Sequence, residues 1–355
     1  MAYQIEMAII AKNLLKWYTE NGRILPWRVN PKDAEAGQTP DPYKVWISEI
    51  MLQQTTVNTV IPYYKEFIKK WDCIDKLSYA DESDILSFWA GLGYYARGRN
   101  LLKCARELSD KFDRKIPNDK KVLLSLPGIG EYTASAIRSI AFGEREVVID
   151  ANIERVMCRL FKIEKPIKQS KQDIKKYASQ LFPKIHSGDF AQALMDFANS
   201  ICKPKKPDCK LCPISQSCLS LKLGLVENIP VKPIKKNKPL KKGYVFFTKV
   251  KPNKLLLERR PSEGILGGLL GFPTTKWEET NNSEPSLPFS ANWTFTKRLV
   301  EHQFSHFKLE LEIVLGEKEN PKYDNTKYLA VERQNFDLNS LPTLMRKVYT
   351  QAIKL

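Results

Sequence analysis

Four cysteines, Cys202, Cys209, Cys212 and Cys218, stand in the spacing Cys-x6-Cys-x2-Cys-x5-Cys. Thiolates this close share a metal centre or pair as disulfides. The other three cysteines, Cys73, Cys104 and Cys158, are scattered singly, so the total of seven is odd. A secreted disulfide framework has a different pattern, and a reducing cytosol is the expected setting. Tetrahedral zinc takes four thiolates, and so does a four-iron cluster; spacing alone leaves both open. The loop Lys203-Pro204-Lys205-Lys206-Pro207-Asp208 joins the first two cysteines. Prolines stiffen it. Pinned by a metal centre, Lys203, Lys205 and Lys206 would form a preformed grip for phosphate.

Two carboxylates could do acid–base work. Glu49 lies in Tyr43-Lys44-Val45-Trp46-Ile47-Ser48-Glu49-Ile50-Met51-Leu52-Gln53-Gln54. On a helix it stands one turn from Val45 and Trp46 and one turn from Leu52 and Gln53. These flanks predict poor solvation, which raises a carboxyl pKa and suits a general acid. The plainer alternative is a salt bridge to a nearby base. Asp150 follows Val147-Val148-Ile149 and precedes Ala151-Asn152-Ile153-Glu154-Arg155-Val156. It reads as a helix N-cap. It also reads as a carboxylate placed to stabilise positive charge on a sugar, and a cap would fix it for that task.

A third element could bind phosphate. Leu126-Pro127-Gly128-Ile129-Gly130 separates two helical stretches, and Glu131-Tyr132-Thr133-Ala134 opens the second. Gly128 and Gly130 permit unusual backbone geometry and close approach of a ligand. The following helix would aim free N–H groups and its positive end at the same place. An ordinary turn between packed helices is the alternative. A dinucleotide fingerprint does not fit, because no strand precedes the glycines and Thr133 occupies the third glycine position.

These residues need a scaffold, and 355 residues are comfortable for two domains. Residues 1–225 read as helical: Ile5–Tyr18, Tyr43–Gln53, Ile61–Lys70, Asp81–Gly91, Arg97–Phe112 and Tyr132–Ala141 carry apolar residues at helical spacing. The hairpin falls at about 122–142 and the cysteine cluster at 202–218. Residues 226–242 read as a basic, proline-rich linker. From Lys203 to Lys242 there are 11 lysines against Asp208 and Glu227, a local net of +9 within a chain total of +17. Such a balance favours a polyanion such as nucleic acid, whether the segment is a strap on phosphate or a solvated linker. Residues 243–355 form an α+β domain: Tyr244–Val250 and Leu255–Glu258 as paired strands, Gln303–Leu315 as one long strand, Asn281–Pro288 as loop and Leu341–Leu355 as a closing helix. No run reaches the ~20 apolar residues of a membrane span, and the first residues lack the apolar core of a signal peptide.

Taken together, Trp46–Thr55, Leu126–Ala134, Asp150–Val156, the four cysteines and Gln303-Phe304-Ser305-His306-Phe307 resemble adenine DNA glycosylases of the MutY family over almost the whole chain. The resemblance implies a mainly α helix-hairpin-helix glycosylase region with an iron–sulfur cluster, followed by an α+β nudix-like domain. It implies removal of adenine mispaired with 8-oxoguanine or guanine in double-stranded DNA, after the nucleotide is flipped into a pocket. Glu49 would protonate the base and Asp150 would stabilise the sugar cation, while Tyr132 and Asn152 line the site. Gln54 and Tyr94 would fill or wedge the base stack, with Gly128, Gly130 and the cluster-loop lysines on the backbone. Cys202, Cys209, Cys212 and Cys218 would hold a [4Fe–4S] cluster. Phe304, Ser305 and His306 would test for 8-oxoguanine.

The related endonuclease III has a lysine where this chain has Tyr132, so a monofunctional enzyme with little lyase activity is expected. Val29–Asp41 is longer than is usual for the family, and Leu266–Pro273 carries leucines where relatives have aromatics. The chain lacks an Arg-Glu-x-x-Glu-Glu run, so the second domain is not expected to hydrolyse nucleotides. A cytoplasmic, nucleoid-associated monomer with no membrane partner completes the expectation. The competing readings are another glycosylase of the superfamily and a non-catalytic, cluster-bearing DNA-binding or redox-sensing protein.

Overall fold

The computed structural model describes residues 2–232, 237–250, 252–261, 264–279, 285–318, 324, 326–334, 336 and 338–355. The chain packs as two compact units, one of residues 1–80 and 100–234, the other of residues 81–99 and 235–355. The expected division near residue 225 left 81–99 with the first part. Within the second unit, Arg99 donates to the Gly267 carbonyl at 2.7 Å. Part of the expected 226–242 linker, residues 233–236, lies outside the described residues, as do 281–284 of the expected loop.

The helices, in chain order, are α1 (Ala2–Asn21), α2 (Pro31–Glu35), α3 (Pro42–Leu52), α4 (Val57–Lys70), α5 (Ile74–Ser78), α6 (Glu82–Phe88), α7 (Ala96–Lys111), α8 (Lys120–Ser125), α9 (Glu131–Phe142), α10 (Ala151–Leu160), α11 (Lys171–Leu181), α12 (Ser187–Ser200), α13 (Leu219–Lys222) and α14 (Thr343–Ala352). The extra length at Val29–Asp41 holds α2, started by Pro31 at a position where its missing N–H costs nothing. Asp41 then caps α3, accepting from the Tyr43 and Lys44 N–H groups. Trp46, Ile47, Ile50 and Met51 of α3 are all buried, so this helix is covered nearly all round. That is the sequence-level cause of Glu49's dry surroundings. The α10–α12 region shares its core with α1: Leu14, Ile153, Met157, Phe190, Leu194 and Phe197 pack together.

The second unit holds a six-stranded sheet made of β1 (Leu240–Val250), β2 (Lys254–Arg259), β3 (Leu270–Gly271), β4 (Asn292–Gln303), β5 (Lys308–Lys318) and β6 (Tyr328–Glu332). The strand order is β3-β2-β1-β5-β4, with β6 also on β2. β1 and β5 run parallel, while the other pairs are antiparallel. Leu344, Met345 and Val348 of α14 close one face against Phe247, Leu311 and Ile313.

Gln303–Leu315 is not one strand. The chain reverses at Phe304–Phe307, where the Phe304 N–H donates to the Phe307 carbonyl at 2.9 Å, and β4 pairs with β5 across the turn. Apolar residues alternate on both sides of the turn but change parity between Phe304 and Phe307, with no glycine or proline to mark the reversal. Leu269 and Phe272 of the Leu266–Pro273 stretch are buried. No helix among the described residues is long and apolar enough to cross a membrane.

Candidate active site and cluster loop

Glu49, Tyr132, Asp150 and Asn152 line one cleft of ≈1040 Å³, together with Arg28, Gln54, Gln192 and Lys171. Small-molecule pockets run to about 1,000 Å³, so the cleft has room for a nucleotide and not merely a base. Glu49 is 6% exposed. Its Oε2 is buried with no hydrogen-bond partner among the described residues. Burial pushes the Glu49 carboxyl up to about 7, against the lowering pull of a Tyr132 hydrogen bond and of the Arg28 charge. Near neutrality it is therefore poised to hold or release a proton. Tyr132 itself is driven well above the ordinary tyrosine range, by burial first and then by Glu49 and Asp150. It stays a neutral donor.

Asp150 is the N-cap of α10. Its Oδ1 accepts from the Ile153 N–H at 2.7 Å and its Oδ2 from Asn152 Nδ2 at 2.8 Å. The cap fixes the carboxylate at the start of α10. The sequence's two readings of Asp150, cap and cleft carboxylate, describe one geometry.

Asn152 Oδ1 in turn accepts from Arg155 Nη2 at 3.2 Å. Arg155 donates through Nη2 to the Ala198 carbonyl at 2.8 Å and through Nε to the Cys202 carbonyl at 3.0 Å. Arg159 is 2% exposed and spreads its donors over the carbonyls of Ile229, Cys202, Lys203 and Pro204, besides Cys202 Sγ. One face of α10 thus holds the backbone of the cysteine loop from beneath.

Cys202, Cys209, Cys212 and Cys218 border a single small cavity with Ile201, Leu221 and Val226. None of the four is joined in a disulfide. No group of three or more His, Cys, Asp or Glu among the described residues is set to hold a single metal ion. Four soft donors around one apolar cavity suit a thiolate-bound iron–sulfur cluster, whose ligands bind different irons. Lys205 and Lys206 are exposed on this loop, while the Lys203 carbonyl faces inward to Arg159.

The hairpin consists of α8, the Leu126–Gly130 turn and α9. Gly128 has φ +80°, and a Cβ there would come 2.9 Å from Asn100 Cβ. Gly130 has φ −99° and open space where a Cβ would stand. Only Gly128 therefore needs glycine for its conformation; Gly130 leaves the amides of the first α9 turn uncovered. No side chain caps that turn. Gln54 and Tyr94 both adopt left-handed backbone geometry, φ 58° and 50°. Gln54 lies on the first unit's cleft, and Tyr94, half-exposed at 51%, belongs to the second unit.

In the second unit Ser305 and His306 are exposed on the β4–β5 turn, with Ser305 Oγ 3.1 Å from His306 Nδ1. Phe304 packs between Trp277 and Phe307, with ring centroids 5.7 and 4.8 Å away.

A model of the HhH-GPD superfamily of base excision DNA repair proteins matches residues 47–184, and a NUDIX domain model matches residues 244–351. The adenine DNA glycosylase of Buchnera aphidicola subsp. Baizongia pistaciae (strain Bp) is 34% identical over 356 residues, spanning 98% of this chain and 97% of its own. The chain belongs to the adenine DNA glycosylase family. The human adenine DNA glycosylase is 32% identical, across 87% of this chain and 67% of its own. Among solved structures, a thermostable thymine-DNA glycosylase aligns with TM-score 0.56 at 29% identity, over 63% of this chain and 100% of its own. An endonuclease III–DNA covalent intermediate shares the fold of the same region, TM-score 0.51 at 21% identity, over 62% of this chain and 98% of its own.

Sequence reasoning about this family member missed Asp196, Arg23 and Gln192. Asp196 stands in the apolar stretch Ala193–Phe197 with no basic residue one turn away on either side. An acid so placed requires a distant partner, and that was the available signal.

Proposed function

We propose that the protein removes adenine mispaired with 8-oxoguanine or guanine from duplex DNA, as a monofunctional glycosylase. The observation that carries this reading is Glu49: a buried carboxyl with one unpartnered oxygen, in the same cleft as the capped Asp150. Glu49 gives its proton to N7 of the flipped adenine. The C1′–N9 bond breaks and its electron pair leaves with the base. Asp150 stabilises the cationic sugar, through charge or a transient adduct, until water adds at C1′ and gives up a proton. One carboxyl starts neutral and the other charged, as in two-carboxylate glycoside hydrolysis. Tyr132 keeps Glu49 oriented, and Asn152 orients Asp150. Tyr132 offers no amine for a Schiff base, which supports little strand cleavage.

Gln54 and Tyr94 fill the gap in the base stack, and the uncovered α9 amides at Gly130 take a backbone phosphate. Cys202, Cys209, Cys212 and Cys218 hold a [4Fe–4S] cluster, which supplies a fixed scaffold for Lys203, Lys205 and Lys206 against phosphate. Phe304 supports the exposed Ser305 and His306, which probe for 8-oxoguanine. The protein acts as a monomer on cytoplasmic, nucleoid DNA.

Base release from a panel of duplexes tests the reading. Adenine should leave opposite 8-oxoguanine and guanine, with little strand cutting before alkali treatment. Release of thymine from a guanine mismatch instead would favour the thymine-glycosylase alternative. Glu49→Gln should still bind mismatched DNA while excision drops at least ~100-fold, the usual scale of acid catalysis. Replacing Ser305 and His306 with alanine should narrow the preference for 8-oxoguanine over guanine while leaving excision opposite guanine intact. Unchanged selectivity would remove that assignment.

A further inference from the structure

Behind the cleft lies an ion cluster that the excision chemistry above does not use. Asp196 of α12 is 1% exposed on its side chain and serves two arginines at once. Arg28 donates to Oδ2 at 2.8 Å. Arg23 places Nη2 and Nε at 2.6 and 2.7 Å from Oδ1, and its backbone N–H at 2.8 Å from Oδ2. Arg28 is itself buried, 6% exposed, and lines the cleft with Glu49. It makes no ion pair with Glu49 among the described residues.

A buried guanidinium beside a buried carboxyl has one obvious fate. Left alone, Arg28 would pair with Glu49 and strip its proton, since an opposite charge nearby favours the ionised carboxylate. Asp196 intercepts that pairing. Burial would raise the Asp196 carboxyl, but the Arg28 charge and the hydrogen bonds from Arg28 and Arg23 outweigh it and hold the group below its ordinary range. The other titratable groups around Glu49 are Tyr132 on α9 and Asp150 at the start of α10. Tyr18 of α1 and Asp189 of α12 adjoin the arginine cluster itself.

We propose that Asp196 is a positioning residue: by engaging the Arg28 guanidinium itself, it keeps Arg28 from pairing with Glu49 and leaves Glu49 its proton. This rests on Glu49 acting as the proton donor. A role in folding alone would leave the pH dependence of excision unmoved, whereas this role sets it.

The experiment is single-turnover adenine release from an 8-oxoguanine·adenine duplex, from about pH 5.5 to about pH 9, with the full-length protein. Wild type should lose rate as pH rises past Glu49's titration. Asp196→Asn should begin that loss about one pH unit lower, so that at pH 8 it is about 100-fold below its own low-pH plateau where wild type is about tenfold below its own. Arg28→Gln should move the loss to higher pH. Arg28→Gln with Asp196→Asn should match Arg28→Gln alone, because Asp196 acts only through Arg28. An unmoved profile in a folded Asp196→Asn would overturn the proposal. So would a double variant whose profile differs from that of Arg28→Gln, and this comparison decides the matter if Asp196→Asn alone does not fold. Excision by Glu49→Gln would instead sink the underlying reading of Glu49.

Discussion

At the scale of single residues, Glu49 shows what a buried acid costs the fold. Burial raises its carboxyl from 4.5 in the open chain to about 7. The folded state thus binds a proton that the unfolded state releases between those values. The stabilisation is fully present below about 4.5 and is lost as pH rises through about 7. At pH 8 the penalty is at most on the order of 3 kcal/mol. Glu49→Gln should therefore melt higher than wild type at pH 8, by about 2–4 °C for each kcal/mol recovered, and the gain should vanish near pH 4. Calorimetry at the two pH values checks this. An equal gain at both would mean that packing, not ionisation, sets the difference. Glu49 was legible in the sequence because its helical neighbours are apolar. Asp196 was not, because its partners Arg23 and Arg28 lie 173 and 168 residues away.

At the scale of elements, the two hairpin glycines separate conformation from access. Gly128→Ala meets both a left-handed φ and Asn100 Cβ, so it should cost more than ~1 kcal/mol of stability, measured by denaturant unfolding. Gly130→Ala has ordinary φ and open space, so folding should be unchanged while a methyl shields the α9 amides. Its effect should appear in DNA affinity alone. A destabilised Gly130→Ala or a fully stable Gly128→Ala would contradict this division. The helices themselves were legible because their apolar residues recur at the helical period, and Asp150 reads as the start of α10. The β4–β5 turn was missed although the alternation changes parity between Phe304 and Phe307, because the short Ser305-His306 link carries no glycine or proline to mark it. Their packing with Trp277, far off in sequence, defines the turn.

At the scale of the whole molecule, charge and chain path dominate. Replacing Lys205 and Lys206 with glutamine should flatten the dependence of log affinity on log salt by about two units, near 0.9 for each phosphate that is no longer neutralised. Binding titrations at several salt concentrations measure the slope, and an unchanged slope would remove these lysines from the DNA interface. The two-part character of the chain was legible from the change of period near residue 240. Residues 81–99 group with residues 235–355 across a long gap in sequence. That membership has a bearing on synthesis at the ribosome. Residues 81–99 emerge more than 130 residues ahead of the remainder of their unit, 235–355. Translation must pass Gly267 before Arg99 can find its carbonyl partner. The stretch carrying Tyr94 is therefore made well before the segment that supplies this partner, and that segment emerges when the cluster loop and the cleft of Glu49 are already complete in sequence.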